Sequence, residues 1–135
     1  MESRDRNLQP ESVGQSAETV ACAWLSRRGL QPLARNFRSR FGEIDLVMLD
    51  RNTLVFVEVR CRIGRSPTTA AATVRRGKQQ RLIRTALMFV SAHPHYANHT
   101  MRFDIVGFDR TPDASGPDDW IRNAFDAETG VFQRS

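Results

Sequence analysis

Two apolar runs stand almost back to back, residues 44–49 (Ile-Asp-Leu-Val-Met-Leu) and residues 54–61 (Leu-Val-Phe-Val-Glu-Val-Arg-Cys). Only the polar stretch Asp50-Arg51-Asn52-Thr53 lies between them. Two β-prone runs with so short a link predict an antiparallel hairpin. A symmetric loop of two or four residues pairs positions whose numbers sum to 103, which sets Asp45 opposite Glu58 and Glu43 opposite Arg60. Side chains alternate faces along a strand, so these four share one face. A bulge or an odd-numbered loop would shift the register by one and separate them.

Carboxylates in apolar strands are costly unless a cation or hydrogen-bond donors compensate them. Acids on neighbouring strands are the oxygen donors that a hard divalent cation, Mg²⁺ or Mn²⁺, prefers. The competing reading is a solvated face on which Arg60 and Arg62 balance the acids.

Charge is distributed unevenly. Between Arg27 and Arg84 there are fourteen Lys or Arg against four acids, a local charge of +10, while the flanks carry −5. A basic surface around an acidic hairpin is the electrostatic footprint of a nucleic-acid partner. The contacts expected of it are Arg38, Arg40, Arg62, Arg75, Arg76, Lys78 and Arg81. Lys78 is the sole lysine of the chain.

At 135 residues the chain is long enough for one modest core. The expected layout is a flexible N-terminus at 1–9, one domain at 10–125 and a tail at 126–135. No apolar run reaches membrane-span length, the N-terminus lacks a secretory h-region, and Cys22 and Cys61 lack metal-ligand spacing. These features lead to the expectation of a cytoplasmic protein without membrane contact.

Along the chain, residues 10–28 have the apolar period of a helix, with Val13, Ala17, Val20, Ala21, Trp24 and Leu25 on one stripe. Residues 30–37 predict a strand that Pro32 confines to an edge or a start. Residues 62–73 predict a loop. Residues 74–92 predict a second helix burying Leu82, Ile83, Ala86, Leu87, Phe89 and Val90, with cations at its first turns that suit an anion. A further strand is expected at 101–108 and a short last one at 120–125. All three histidines lie within residues 93–99, without the spacing of a helical metal motif. The order of elements predicts a mixed α+β or α/β domain with a central sheet.

These residues resemble a known pattern. Asp45 followed at a distance by Glu58-Val59-Arg60 is similar to the PD-(D/E)XK nuclease motif. More narrowly, Gly42-Glu43-Ile44-Asp45-Leu46 and Phe56-Val57-Glu58-Val59 resemble the YraN-like family of small bacterial proteins. So do Gly14 and Glu18, Arg35-Asn36-Phe37-Arg38, Lys78-Gln79-Gln80-Arg81-Leu82, Arg102-Phe103-Asp104 and Asn123-Ala124-Phe125. The resemblance covers about residues 14–125. It implies a restriction-endonuclease-like fold, a central mixed sheet flanked by helices, similar to Holliday-junction resolvases.

The resemblance also implies roles. Asp45 and Glu58 would hold Mg²⁺ or Mn²⁺, with the Val59 backbone carbonyl as a third oxygen ligand. Glu18 would be an auxiliary acid from the first helix, and Glu43 would influence the same cluster. Arg60 stands where the motif usually has Lys; it can stabilise charge on a phosphate but cannot act as a base. The implied activity is metal-dependent phosphodiester hydrolysis of nucleic acid, DNA in the first place, with a homodimer as one route to cutting two strands. Two alternatives stand beside it: a nucleic-acid-binding module with a nuclease-like fold and little turnover, and a protein-interaction scaffold.

Overall fold

The computed structural model describes residues 13–62 and 74–125. The expectations for 1–9, for Pro10, for the loop beyond Arg62 and for the tail at 126–135 lie outside these residues. Helix α1 spans Val13–Ser26. Strands β1 (Gln31–Ser39), β2 (Gly42–Asp50) and β3 (Thr53–Cys61) follow. Helix α2 spans Arg76–Ala92. A single 3-10 turn at Pro94–Tyr96 leads into β4 (Thr100–Phe108) and β5 (Asp119–Phe125).

The five strands form one sheet in sequence order. All neighbours are antiparallel except β3 and β4, which run parallel. Parallel neighbours need a crossover, and α2 supplies it. Pro32 sits on the edge strand β1, where a missing ladder donor does no harm.

Each face of the sheet carries one helix and one core. Ala17, Ala21 and Leu25 of α1 pack on Leu46, Met48, Val55, Val57, Val106 and Phe108. Leu82, Ile83, Ala86 and Phe89 of α2 pack on Ile44, Leu54, Phe56, Phe103 and Ile105. Along β3 the two sets alternate strictly, as a strand buried on both faces requires. The helix at 74–92 buries its expected stripe with one correction. Leu87 is 52 % exposed, because it turns past the edge of the stripe while Thr85 takes a buried place.

The hairpin has a two-residue turn, Arg51-Asn52, and the register sum of 103 holds from Asp50–Thr53 to Leu46–Val57. There the ladder ends, so the direct pairings Asp45–Glu58 and Glu43–Arg60 do not form. The cause lies in β1 and β2. Asn36, on the neighbouring strand, has φ 52°, a left-handed conformation that Asn tolerates better than most residues. Arg35 and Phe37 pair with Leu46 and Ile44, but Asn36 and Asp45 between them do not pair. Across this irregularity β2 changes face: Ile44 belongs to the α2-side core and Leu46 to the α1-side core. Strict alternation would have kept both on one side. Beyond Leu46, therefore, β2 leaves the β3 ladder, and Asp45 occupies the opening.

Candidate active site

Asp45 reaches across that opening. Its Oδ2 accepts a hydrogen bond from the Val59 amide at 2.8 Å. The side chain thus replaces a backbone acceptor that β2 no longer offers. This is the contact Val59 makes in the cluster; the expected role of its carbonyl is not what the hydrogen bond displays.

Glu58 lies on the α2 side of β3 and is buried to 5 % exposure. Two cations compensate it at the same oxygen. Lys78 Nζ stands 2.7 Å from Glu58 Oε2, and Arg60 Nη1 donates to that atom at 3.2 Å. Lys78 arrives from the first turns of α2, which the crossover folds over the end of β3. The sequence indicated a phosphate contact at Lys78; the structure places it against the central carboxylate. The motif itself offers only Arg60 at its third position, so this lysine comes from a different element.

Glu18 projects from α1 toward the same point. Asn36 Nδ2 donates to Glu18 Oε1 at 2.9 Å, and Arg35 lies 3.7 Å from it. The left-handed turn at Asn36 therefore does two things: it lets β2 change face and it fixes the helix acid. Asn36 carries no catalytic-looking chemistry in the sequence; its signals are an Asn inside a strand and its place in the Arg35-Asn36-Phe37-Arg38 stretch of the family resemblance.

Asp45 is the most perturbed group of the set. Burial, then the charge of Glu58, push its pKa from 3.8 up to about 8; a hydrogen bond and charge from Glu18 add to this, and the Val59 amide opposes it. Burial is the larger cause and the Glu58 charge the next, so Asp45 retains a proton near neutrality.

A cavity of about 230 Å³ opens here, walled by Glu43, Asp45, Glu58, Lys78, Arg81 and the Gly42 backbone. Glu43, half-exposed, pairs with Arg38 at 3.7 Å. Three of the four hairpin residues expected on one face, Glu43, Asp45 and Glu58, thus line one cavity, and Arg60 joins them through Glu58, without the expected cross-strand pairs. Arg38, Arg40, Arg75, Arg76 and Arg81 are all exposed; of these Arg81 is in the cavity wall and Arg38 is on Glu43. Arg40 and Arg84 both lie over the Phe41 ring, at 5.1 and 5.5 Å from its centre.

Arg62 is elsewhere. It is buried and holds Asp109 at 2.6 Å and Asp119 at 3.0 Å, tying the end of β3 to the residue after β4 and to the first residue of β5. A phosphate contact from Arg62 would require both pairs to break.

The donor set fits a hard cation. Mg²⁺ is commonly held by one or two carboxylates together with water and substrate phosphate rather than by a full protein cage. Asp45 and Glu58 match that description. Among the described residues no group of three or more His, Cys, Asp or Glu side chains is placed to hold a metal ion together, so any cation here would rest on the two carboxylates. The histidine segment is no exception: His93 Nδ1 is engaged with the Phe89 carbonyl at 2.8 Å, and its ring stacks on Phe89.

The mixed five-stranded sheet, its crossover helix and the Asp45…Glu58-Val59-Arg60 motif define a restriction-endonuclease-like protein. A family profile described as uncharacterised protein family UPF0102 matches residues 17–108. A UPF0102 protein of Pseudomonas putida strain GB-1 is 45% identical over 117 residues, covering 87% of this chain and 95% of the relative. A UPF0102 protein of Pseudomonas aeruginosa strain LESB58 is 47% identical over 115 residues, covering 84% and 92%. One from Alcanivorax borkumensis is 42% identical over 118 residues, covering 87% and 94%. The chain belongs to the UPF0102 family, the YraN-like proteins. Among the described residues, no helix is long and apolar enough to cross a membrane.

Proposed function

We propose that this chain is a divalent-metal-dependent nuclease that hydrolyses phosphodiester bonds in nucleic acid, DNA in the first place. One observation carries the reading. Asp45 and Glu58, from two strands, line one cavity together with Lys78 and Arg81, and Glu18 of α1 touches Asp45. Acids inside and cations outside suit a bound metal and a polyanionic substrate together.

Asp45 and Glu58 hold the cation, Mg²⁺ or Mn²⁺, with the Val59 carbonyl as the further oxygen that the family motif implies. When bound, the cation neutralises charge developing on the phosphate and lowers the pKa of water. Glu18, fixed by Asn36 and Arg35, orients Asp45 and shares its proton. Lys78 and Arg60 bring two positive charges beside the position of the scissile phosphate. Arg60 holds charge only, since its guanidinium does not release a proton at neutral pH. Arg38, Arg40, Arg75, Arg76 and Arg81 contact the backbone of the substrate. Cutting both strands of a duplex calls for two such sites, hence two copies of the chain.

The test is cleavage of single-stranded, duplex and branched DNA, and of RNA, with Mg²⁺ or Mn²⁺. The wild type cuts at least one of these, and Asp45→Ala and Glu58→Ala do not. The presence of Arg60 at the motif's Lys position favours a second reading, a nucleic-acid-binding module without turnover. That reading predicts salt-sensitive binding and no cleavage above that of the double variant. A third outcome, no salt-sensitive binding to any nucleic acid, points to a protein-interaction scaffold.

A further inference from the structure

A second concave surface lies at the far end of the central hairpin. It is a shallow cavity of about 520 Å³ lined by Arg28, Arg51 and Arg122. These come from the turn after α1, from the β2–β3 turn and from β5. The one acid in the wall is Asp50. Arg102, outside the wall, already pairs with it at 3.0 Å. Three guanidiniums therefore border one space whose only carboxylate is committed elsewhere.

Like charges on long side chains would normally swing apart into water. Here two of the three are held. The Arg28 guanidinium lies 3.5 Å from the centre of the Trp24 ring and also donates to the Trp24 carbonyl at 3.3 Å. The Arg122 guanidinium lies 4.0 Å from the centre of the Trp120 ring. The two indoles brace each other edge to face, with centres 5.5 Å apart and planes at 84°. Arg51 is placed by its turn, with φ 59°. Stacking occupies the face of a guanidinium and leaves most of its in-plane N–H donors pointing outward. A set of planar forks held in place before any ligand arrives suits an oxyanion with several acceptor oxygens.

We infer that this cavity is a second anion site, for the phosphate groups of a nucleotide or of a polynucleotide backbone. The site is independent of the proposed cleavage chemistry. Arg51 is six positions along β2 from Asp45, about 20 Å at roughly 3.4 Å per residue. Trp24 and Trp120 pack with the α1-side core, whereas Glu58 meets Lys78 on the α2 side.

Trp24 and Trp120 are the two tryptophans of the chain, so indole fluorescence reports on this cavity directly. The experiment titrates the full chain at low salt with inorganic pyrophosphate and, separately, with a short single-stranded oligodeoxynucleotide. EDTA is present throughout, which keeps the result separate from any metal-dependent cleavage. The expected result is a saturable indole response whose midpoint moves about tenfold higher in Arg51→Gly and in Arg122→Gln, the loss of one charged hydrogen-bonding group. Glycine at position 51 suits the left-handed turn, so that variant keeps the fold while losing the charge. A response to pyrophosphate alone identifies a small phosphate ligand. A response to the oligonucleotide, with or without pyrophosphate, identifies a polynucleotide backbone. No indole response to either probe, or a response equal in wild type and both variants, overturns the inference.

Discussion

The amide of Val59 donates a 2.8 Å hydrogen bond to the carboxylate of Asp45, across the gap where the β2–β3 ladder has ended. A side chain has taken the place of a backbone carbonyl. That single substitution fixes Asp45 beside Glu58 and Glu18, and it places an acid where burial and neighbouring charge raise its pKa to about 8.

A pH dependence of stability follows from this. The folded pKa lies above the ordinary 3.8, so the folded protein binds this proton more tightly than the unfolded chain does. The resulting contribution is complete below about pH 4 and is lost as pH rises to about 8. Urea unfolding of the metal-free protein at several pH values should show this group's stabilisation declining across that window. In Asp45→Asn that decline should be largely absent. An identical pH profile in wild type and variant would contradict the assignment.

Lys78 and Glu58 should be energetically coupled. The carboxylate is buried, and removing the ammonium leaves it with Arg60 at the same oxygen. A double-mutant cycle with Lys78→Met and Glu58→Gln should give a coupling of about 1–2 kcal/mol. Lys78 is partly exposed, which keeps the value below that of a fully buried pair. A coupling near zero would mean that the pair does not form in solution.

Asp104 is the buried charge that holds the β4–β5 edge. Fully buried, it accepts bonds from Arg102 Nε and Nη2, from Trp120 Nε1 and from the Asn123 amide, whose residue has φ 52°. Asp104→Ala strands these donors and should cost about 3–5 kcal/mol in urea unfolding. A loss of under about 1 kcal/mol would show that the network contributes little.

Gly116 is required by contact as well as by conformation. It has φ 91°, and a Cβ there would stand 2.3 Å from two atoms of the Trp24 ring. Gly116→Ala should therefore lose about 2–4 kcal/mol, combining left-handed strain with displacement of the indole. Near-neutral behaviour would mean that the loop and Trp24 separate easily.

Much of this architecture is legible in the sequence because it rests on local signals. The polar link at 50–53 fixed the hairpin, and its two-residue turn fixed the register from Leu46–Val57 outward. The apolar spacing of Leu82, Ile83, Ala86 and Phe89 marked the buried face of α2. The site was legible as a set of residues but not as a geometry. Ile44 and Leu46, two apart and both apolar, look like one face of a strand, yet the left-handed Asn36 beside them sends them to opposite cores. Lys78 and Arg62 both looked like surface cations. Their actual partners, Glu58 for Lys78 and Asp109 and Asp119 for Arg62, are distant in sequence and set by tertiary packing.

The central claim is that Asp45 and its neighbours form a divalent-metal site, and calorimetric titration with Mn²⁺ of the wild type and Asp45→Ala tests it most directly. The wild type should show one specific site, and binding should release a proton near neutral pH because Asp45 holds one there. Asp45→Ala should lose that site. Equal and weak binding by both proteins would contradict the account.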